Sequence, residues 1–145
     1  FNSLYTFYYP GFNFRSTDLQ AFIGMTQIDK LDNFSKSREI NFKLYNDNIK
    51  INELNIKTNN NNFISNFAYP IVSKNRESIV NKLIENNIEV RPLIAGSMAR
   101  KPFWKGRVDN LPNCDIINNN GFYIPNHQDL SVDDILKICN IVNEK

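Results

Sequence analysis

Two stretches of the chain carry polar side chains suited to binding an anion. In the first, Asn13 and Arg15 stand between Gly11 and the start of an amphipathic helix. An amide NH₂ is a neutral donor of fixed geometry, and a guanidinium offers a two-pronged fork for an oxyanion. Taken one at a time, however, Asn13 is an ordinary turn residue and Arg15 an ordinary surface charge. The pair needs support from the rest of the sequence.

The second stretch follows the segment IEVRPL at 88–93 and is broken by proline and glycine. Phe103 and Trp104 argue against disorder there, and loops of this length are often functional. Guanidinium and ammonium groups on such a loop suit a phosphate or another anion. By charge alone, a solvated basic loop is the simpler interpretation. The basic residues are Arg91, Arg100, Lys101, Lys105 and Arg107.

The cysteines and the histidine favour no metal site and no nucleophile pair. Cys114 and Cys139 lack the spacing of zinc ligands, and His127 is the only histidine available to join them. Cys139 stands among aliphatic residues, which predicts a buried thiol that acts as a small hydrophobe. His127 follows the turn sequence YIPN and is expected to be an exposed loop residue.

Composition narrows the class of protein. The chain has 145 residues, 41% of them hydrophobic, and a formal net charge of +2. That length predicts one globular domain, and a near-neutral chain gives no support to a nucleic-acid partner. No apolar run approaches membrane-spanning length and no signal peptide opens the chain, so we expect no membrane insertion and a cytoplasmic location with reduced thiols. Its aromatic opening at Phe1 suggests a piece of a longer protein.

Apolar spacing predicts the elements that must position these side chains. Ser16 or Thr17 caps a first helix, in which Gly24 suggests close approach of another backbone. A second helix spans 32–51. A strand follows at 63–72, where Pro70 indicates an edge or a bulge. A helix at 75–87 ends with Asn86 or Asn87 in the left-handed conformation, and 88–93 form another strand.

The last helix has the strongest local signal. Ser131 and Asp134 form a predicted capping box, while Leu130 and Ile135 stand where a hydrophobic staple would pack. The stretch between 93 and this helix is expected to be long and irregular. Because helices alternate with short strands and the two long helices come first, the pattern predicts an α+β domain with helices on one face of a short sheet.

The segment GFNFRSTDLQAFIGMTQIDKLDNFSKSR closely resembles the DegT/DnrJ/StrS family of pyridoxal-phosphate-dependent sugar aminotransferases. That family has a Gly-x-Asn-x-Arg turn, then a helix with a fixed pattern, then an arginine in the next helix. So many matches in one block make the resemblance specific. The matching residues are Gly11, Asn13, Arg15, Asp18, Leu19, Gln20, Ala21, Gly24, Gln27, Lys30, Leu31 and Arg38.

The resemblance covers essentially the whole chain and implies the small C-terminal domain of a fold-type I aminotransferase. On this basis 1–52 are interdomain and dimer-interface helices, and 53–145 are the small α+β domain. The family's cofactor lysine and the aspartate that pairs with the pyridinium nitrogen lie upstream. The resemblance therefore implies no catalytic residue in this chain, and the chain alone is expected to be inactive.

The resemblance also gives the two polar stretches a purpose. In these homodimers the Gly-x-Asn-x-Arg turn reaches the neighbouring subunit's active site, which implies that Asn13 binds the cofactor phosphate and Arg15 lies near the substrate. The segment IEVRPLIAGSMARKPFW is similar to the family's later loop, although Ser97 replaces the usual amide or imidazole. Residues implied to line the nucleotide-sugar pocket are Arg91, Ser97, Arg100 and Trp104.

The implied activity is transfer of an amino group from L-glutamate, through the pyridoxamine form of the cofactor, to a nucleotide-linked keto-deoxysugar. The product would serve cell-surface polysaccharide or lipopolysaccharide biosynthesis. Two alternatives stay open. The first is the family's 3-dehydratase branch, to which AGSMARKPFW is nearer in form and in which a histidine replaces the cofactor lysine. The second is a non-catalytic module that binds an anion or dimerises.

Overall fold

A three-stranded antiparallel sheet of order β1-β3-β2 organises the fold. The computed structural model describes residues 5–12, 16–54, 56, 59, 61–94, 96–105 and 110–144. The strands are β1 (Ala68–Val72), β2 (Arg91–Pro92) and β3 (Gly121–Pro125). The α-helices of the described residues are α1 (Asp18–Met25), α2 (Leu31–Asn48), α3 (Arg76–Glu85), α4 (Pro112–Asn120) and α5 (Val132–Asn143). Short 3₁₀ turns lie at Ile28–Lys30, Met98–Arg100 and Pro102–Trp104. The predicted α+β class is confirmed.

One face of the sheet forms one side of the core. Tyr69 lies opposite Ile124 and Ile71 opposite Phe122, and all four side chains are essentially inaccessible. Side chains on alternate positions of a strand share a face, so these four point the same way. Helices α2, α3 and α5 cover them. The helical core residues include Phe42, Tyr45, Ile79, Leu83, Ile135 and Ile138. The Tyr45 hydroxyl also donates to the Pro125 carbonyl at 2.8 Å.

The outer edge of β1 is covered by the chain itself. Asn52 donates from Nδ2 to the Pro70 carbonyl, and its Oδ1 accepts from the Val72 N–H, both at 3.0 Å. Glu53 N–H donates to the Val72 carbonyl at 2.8 Å. Pro70 was predicted to mark an edge or a bulge, and β1 is an edge strand. An edge whose backbone groups are satisfied this way is a poor template for another strand.

Several predicted helix ends are confirmed. The Thr17 hydroxyl accepts from Gln20 N–H, and the Gln20 side chain accepts from Thr17 N–H, which makes a capping box at α1. Ser131 and Asp134 form the predicted box at α5, with Leu130 packed against the core. Asn87 takes φ +58°, the left-handed conformation expected after α3. Sequence signals for helix ends are reliable here because they depend on neighbouring residues alone.

Other predictions were wrong in extent. The strand expected at 63–72 is limited to β1, and the one at 88–93 to the two residues of β2, because only those stretches pair with β3. The second helix stops at Asn48, since Ile49 is extended. The stretch expected to be irregular contains α4, which starts with Pro112 in its first turn, where proline suits a helix. No described residue approaches Gly24, so its expected close contact is absent from the described part of the chain.

Two negative observations apply to the described residues. None of their helices combines the length and apolar content needed to cross a bilayer. No three of their His, Cys, Asp or Glu side chains are grouped so that they could hold a metal ion.

The two cysteines should differ sharply in reactivity. Cys139 is 1% exposed, and burial raises its thiol pKa to about 11, whereas Cys114 is exposed on α4. Since the thiolate is the reactive form, we expect iodoacetamide at pH 8 to alkylate Cys114 quickly and Cys139 only after unfolding. Mass mapping of native and urea-treated protein measures this. A Cys114→Ser control should leave the native protein unlabelled, and rapid native labelling of Cys139 would contradict the fold.

Candidate functional site

In the first polar stretch, the structure describes the residues up to Phe12 and from Ser16 onward. Asn13 and Arg15 lie outside the described residues, so their roles stay predictions. The helix start beyond them is well defined, because the Thr17 Oγ1 accepts from Gln20 N–H at 3.3 Å and Gln20 Oε1 accepts from Thr17 N–H at 3.0 Å. These bonds fix where α1 begins, shortly after Arg15. The N–H of Gln20 is thereby taken by its own chain.

The second predicted stretch rests on α4. The Ser97 N–H donates to Asn118 Oδ1 at 2.9 Å, and Ser97 is buried. Gly96 has φ +71°, and a Cβ placed on it would lie 2.4 Å from Asn118 Oδ1. Both the backbone conformation and the contact with Asn118 therefore require glycine at this position.

Arg100 points at a carboxylate of its own chain. Its Nε donates to Asp115 Oδ1 at 2.7 Å and its Nη2 to Asp115 Oδ2 at 2.6 Å, with both side chains about one third exposed. This two-pronged geometry is the strongest that arginine makes. Hydrogen bonds from Arg100 lower the pKa of the Asp115 carboxyl. The guanidinium expected to face a diphosphate thus has an acidic partner that the sequence pattern did not reveal.

Trp104 ends the loop at the surface. Its ring lies 5.4 Å from that of Phe103, and 42% of the residue is exposed. This exposed fraction excludes a place in the hydrophobic core. Lys105 then takes φ +50°. Arg107, another residue of the basic stretch, lies outside the described residues.

Arg91 lies on the sheet face opposite the core, where β2 places it across from Tyr123. Its Nε donates to Glu89 Oε1 at 2.7 Å. Next to it the Phe67 and Tyr123 rings stand 5.6 Å apart. These side chains border an open pocket of about 270 Å³, whose lining also includes Ala68, Ile124, Pro125, Asn126 and His127. Rings beside an ion pair suit a ligand with an apolar face and hydrogen-bonding groups.

Of the residues that line this pocket, the sequence predicted only Arg91 as a site residue, and His127 was expected to be an exposed loop residue. His127 is indeed exposed, with Nδ1 3.7 Å from Asp129 Oδ2. Asn126 was missed. It is 1% exposed, and its Nδ2 donates to the Asn66 carbonyl at 2.9 Å and to the Arg38 carbonyl at 3.2 Å. These bonds fix the end of β3. Nothing in the spacing of the sequence around Asn126 indicated this role.

The N-terminal segment, residues 5–9, lies beside the loop that contains Lys101. Lys101 Nζ donates to the Tyr5 carbonyl at 2.7 Å and lies 5.4 Å from the centre of the Phe7 ring. Burial lowers the Lys101 pKa. Hydrogen bonds first to Glu89 and then to the Tyr5 side chain raise the Arg91 pKa. Tyr5 therefore contacts Lys101 through its carbonyl and Arg91 through its side chain.

Comparison with known proteins gives a consistent result. The model of the DegT/DnrJ/EryC1/StrS aminotransferase family matches residues 2–143. The lipopolysaccharide biosynthesis protein RfbH of Salmonella typhimurium is 33% identical over 133 residues, which are 83% of this chain and 30% of that protein. The GDP-4-keto-6-deoxy-D-mannose 3-dehydratase of Escherichia coli O55:H7 is 27% identical over 138 residues, 88% of this chain and 36% of that enzyme.

The fold has solved counterparts. A DegT DnrJ EryC1 StrS aminotransferase from Brucella abortus superposes with a TM-score of 0.74 at 21% identity, covering 91% of this chain and 36% of that one. At this identity the likeness concerns the fold alone. The chain thus spans about a third of the length of the curated relatives it matches.

Replacing Lys101 tests the contact between the loop and the N-terminal segment. Lys101→Met keeps the aliphatic stem and removes the ammonium donor to the Tyr5 carbonyl. Since a hydrogen bond from a charged group contributes about 1.5–3 kcal/mol, amides of residues 5–9 should exchange roughly tenfold faster or more. Hydrogen exchange read by mass spectrometry measures this. Lys105→Met, on the exposed end of the loop, is the matched control, and equal exchange in both variants would refute the contact.

Proposed function

The chain belongs to the DegT/DnrJ/EryC1/StrS aminotransferase family, and we propose that it is the C-terminal part of a pyridoxal-phosphate enzyme that aminates a nucleotide-linked keto-deoxysugar. The observation that carries the proposal is the family match over residues 2–143, which includes the whole Gly11-to-Arg38 motif block. The amino donor we propose is L-glutamate. The name of the Salmonella relative supports a role in lipopolysaccharide biosynthesis.

The proposed division of the chain has 1–52 at interfaces and 53–145 as the small domain. Helix α1 supports it, because the helix has no buried residue in the structure. A cluster of exposed large apolar side chains on one segment marks an interaction surface in most proteins. We propose that this segment contacts the large domain and a second subunit of a homodimer. The exposed residues are Leu19, Phe22, Ile23, Met25, Ile28 and Leu31.

The residues present fit one side of a cofactor site. At α1 the Gln20 N–H is already taken by Thr17, and the donor we propose for a phosphate beside this turn is the Asn13 amide. The Schiff-base lysine belongs to the upstream part of the family pattern. When bound, pyridoxal phosphate supplies the electron sink for the reaction. In the proposal Asn13 holds its phosphate and this chain adds no proton-transfer group.

The substrate residues proposed here are those of the two polar stretches. Arg15 and Arg91 supply positive charge toward the nucleotide sugar, Ser97 and Arg100 shape the loop beside it, and the exposed Trp104 offers a surface for stacking or packing. The pocket beside Arg91 supports this, since ring faces and an ion pair together suit a sugar. The proposed site of action is the cytoplasm, where nucleotide-linked sugars are metabolised.

A 3-dehydratase is the second candidate. It is favoured by the 27% identity to a GDP-4-keto-6-deoxy-D-mannose 3-dehydratase and by the form of the AGSMARKPFW segment. The residue that separates the two reactions is a lysine or a histidine in the upstream part of the family pattern, which residues 1–145 do not match.

Borohydride treatment of the full-length protein with pyridoxal phosphate distinguishes the candidates. A reduced adduct mapped to a lysine supports the aminotransferase. Cofactor binding without a trapped lysine supports the dehydratase. Absence of cofactor binding would contradict both and leave a non-catalytic module.

Asn13→Ala should weaken cofactor binding specifically. Loss of one hydrogen bond to a charged phosphate is worth about 1.5–3 kcal/mol, so we expect the dissociation constant of pyridoxal phosphate to rise roughly ten- to a hundredfold. Absorbance titration of the full-length apoprotein measures it. Asn81→Ala, an exposed position on α3, is the control for an asparagine outside the site. Unchanged affinity in Asn13→Ala would remove Asn13 from the cofactor site.

A further inference from the structure

We propose that Asp115 and Asn118 of α4 are positioning residues for the substrate loop, defined as residues 96–105. They touch no proposed substrate atom themselves and act through Arg100 and Ser97. The inference rests on the proposed function, which places those two loop residues beside the nucleotide sugar.

The two α4 side chains are spaced to act together. Residues three apart lie on the same face of a helix, so Asp115 and Asn118 face the loop from adjacent turns. Asp115 accepts two hydrogen bonds from Arg100, at 2.7 and 2.6 Å. One turn later Asn118 Oδ1 accepts from the Ser97 N–H at 2.9 Å. The loop is therefore held at two points, one through a side chain and one through the backbone.

Helix α4 is itself fixed to the core. Arg76 at the start of α3 donates from Nη1 to the Asn118 carbonyl at 3.0 Å and to the Gly121 carbonyl at 3.5 Å. Gly121 is buried and begins β3 directly after α4. A Cβ on Gly121 would lie 2.4 Å from the Ile117 carbonyl oxygen, so helix and strand meet closely. The platform that carries Asp115 and Asn118 is thus continuous with the central strand.

Because Asp115 is charged, the direction in which nucleotide binding changes when that charge is removed tests the proposal. If Asp115 merely offset the charge of Arg100, then removing its charge would leave the loop more positive and would strengthen binding of a diphosphate. If Asp115 positions Arg100, the same change frees the guanidinium from its place and weakens binding. Asp115→Asn keeps the size of the side chain and separates the two cases.

The first measurement is hydrogen exchange at loop amides in the ligand-free full-length protein. Asp115→Asn and Asn118→Leu should each accelerate exchange at residues 97–101, by about five- to tenfold. Asn118→Asp, which keeps an acceptor for the Ser97 N–H, and the charge swap Arg100→Asp with Asp115→Arg should restore slower exchange. Asn113→Ala, on the side of α4 that borders Glu53 and Leu54, is the control and should leave exchange unchanged.

The second measurement is titration of the same variants with GDP, UDP and dTDP, followed by steady-state kinetics on the nucleotide sugar that is turned over. We expect Asp115→Asn to raise the nucleotide dissociation constant and KM about five- to tenfold with kcat within about twofold, and the charge swap, which removes the guanidinium from position 100, to leave nucleotide binding weak although the loop is ordered. Tighter nucleotide binding in Asp115→Asn, or unchanged loop exchange, would overturn the positioning role alone. A wild-type protein that binds none of the three nucleotides would overturn the proposed function, and with it the substrate role of the loop.

Discussion

The main hydrophobic cluster packs on one face of the sheet, and most of the remaining structure depends on that constraint. Three short strands cannot form a core without helices, so α2, α3 and α5 pack onto the face that carries Tyr69, Ile71, Phe122 and Ile124. The opposite face is left to Tyr123, Arg91 and the neighbouring Phe67. Successive side chains of a strand point to opposite faces of the sheet. Each core residue of β1 or β3 therefore has chain neighbours on the face that carries the pocket. Core and candidate site are therefore two faces of the same strands.

The sequence predicted those parts of the fold that depend on neighbouring residues. Thr17, Ser131 and Asn87 mark helix ends through local hydrogen bonds or backbone conformation, and each acts as predicted. Strand lengths were overestimated, because a strand ends where its partner ends, and β3 lies far along the chain from β1. Helix α4 was missed because its asparagine-rich sequence is a poor helix former, and it is held by packing beside β3.

The candidate site was predictable in residue type and only partly in geometry. Arg100 was selected as one of a run of basic residues, yet its partner Asp115 stands fifteen positions later on another element. A count of charges along a loop cannot show such pairing, and a paired guanidinium acts differently from an exposed one. The same holds for Gly96, whose positive φ and close approach to Asn118 are visible only in the structure. The charge of this loop alone favoured a solvated surface, and the family resemblance indicated a binding role.

The place of β3 in the chain has a consequence for how the protein is made. Among the described residues β1 and β2 pair only with β3, which follows them in the chain although it is central in the sheet. A nascent chain that ends before Gly121 lacks β3, so neither β1 nor β2 can form its strand pairing. The core face of β1 then has no strand beside it. Pairings between distant segments form slowly because a long loop must close first. Synthesis of this region is thus expected to pass through a vulnerable interval in which Tyr69 and Ile71 are open to chaperones or to aggregation, and that interval closes only when the C-terminal third has emerged.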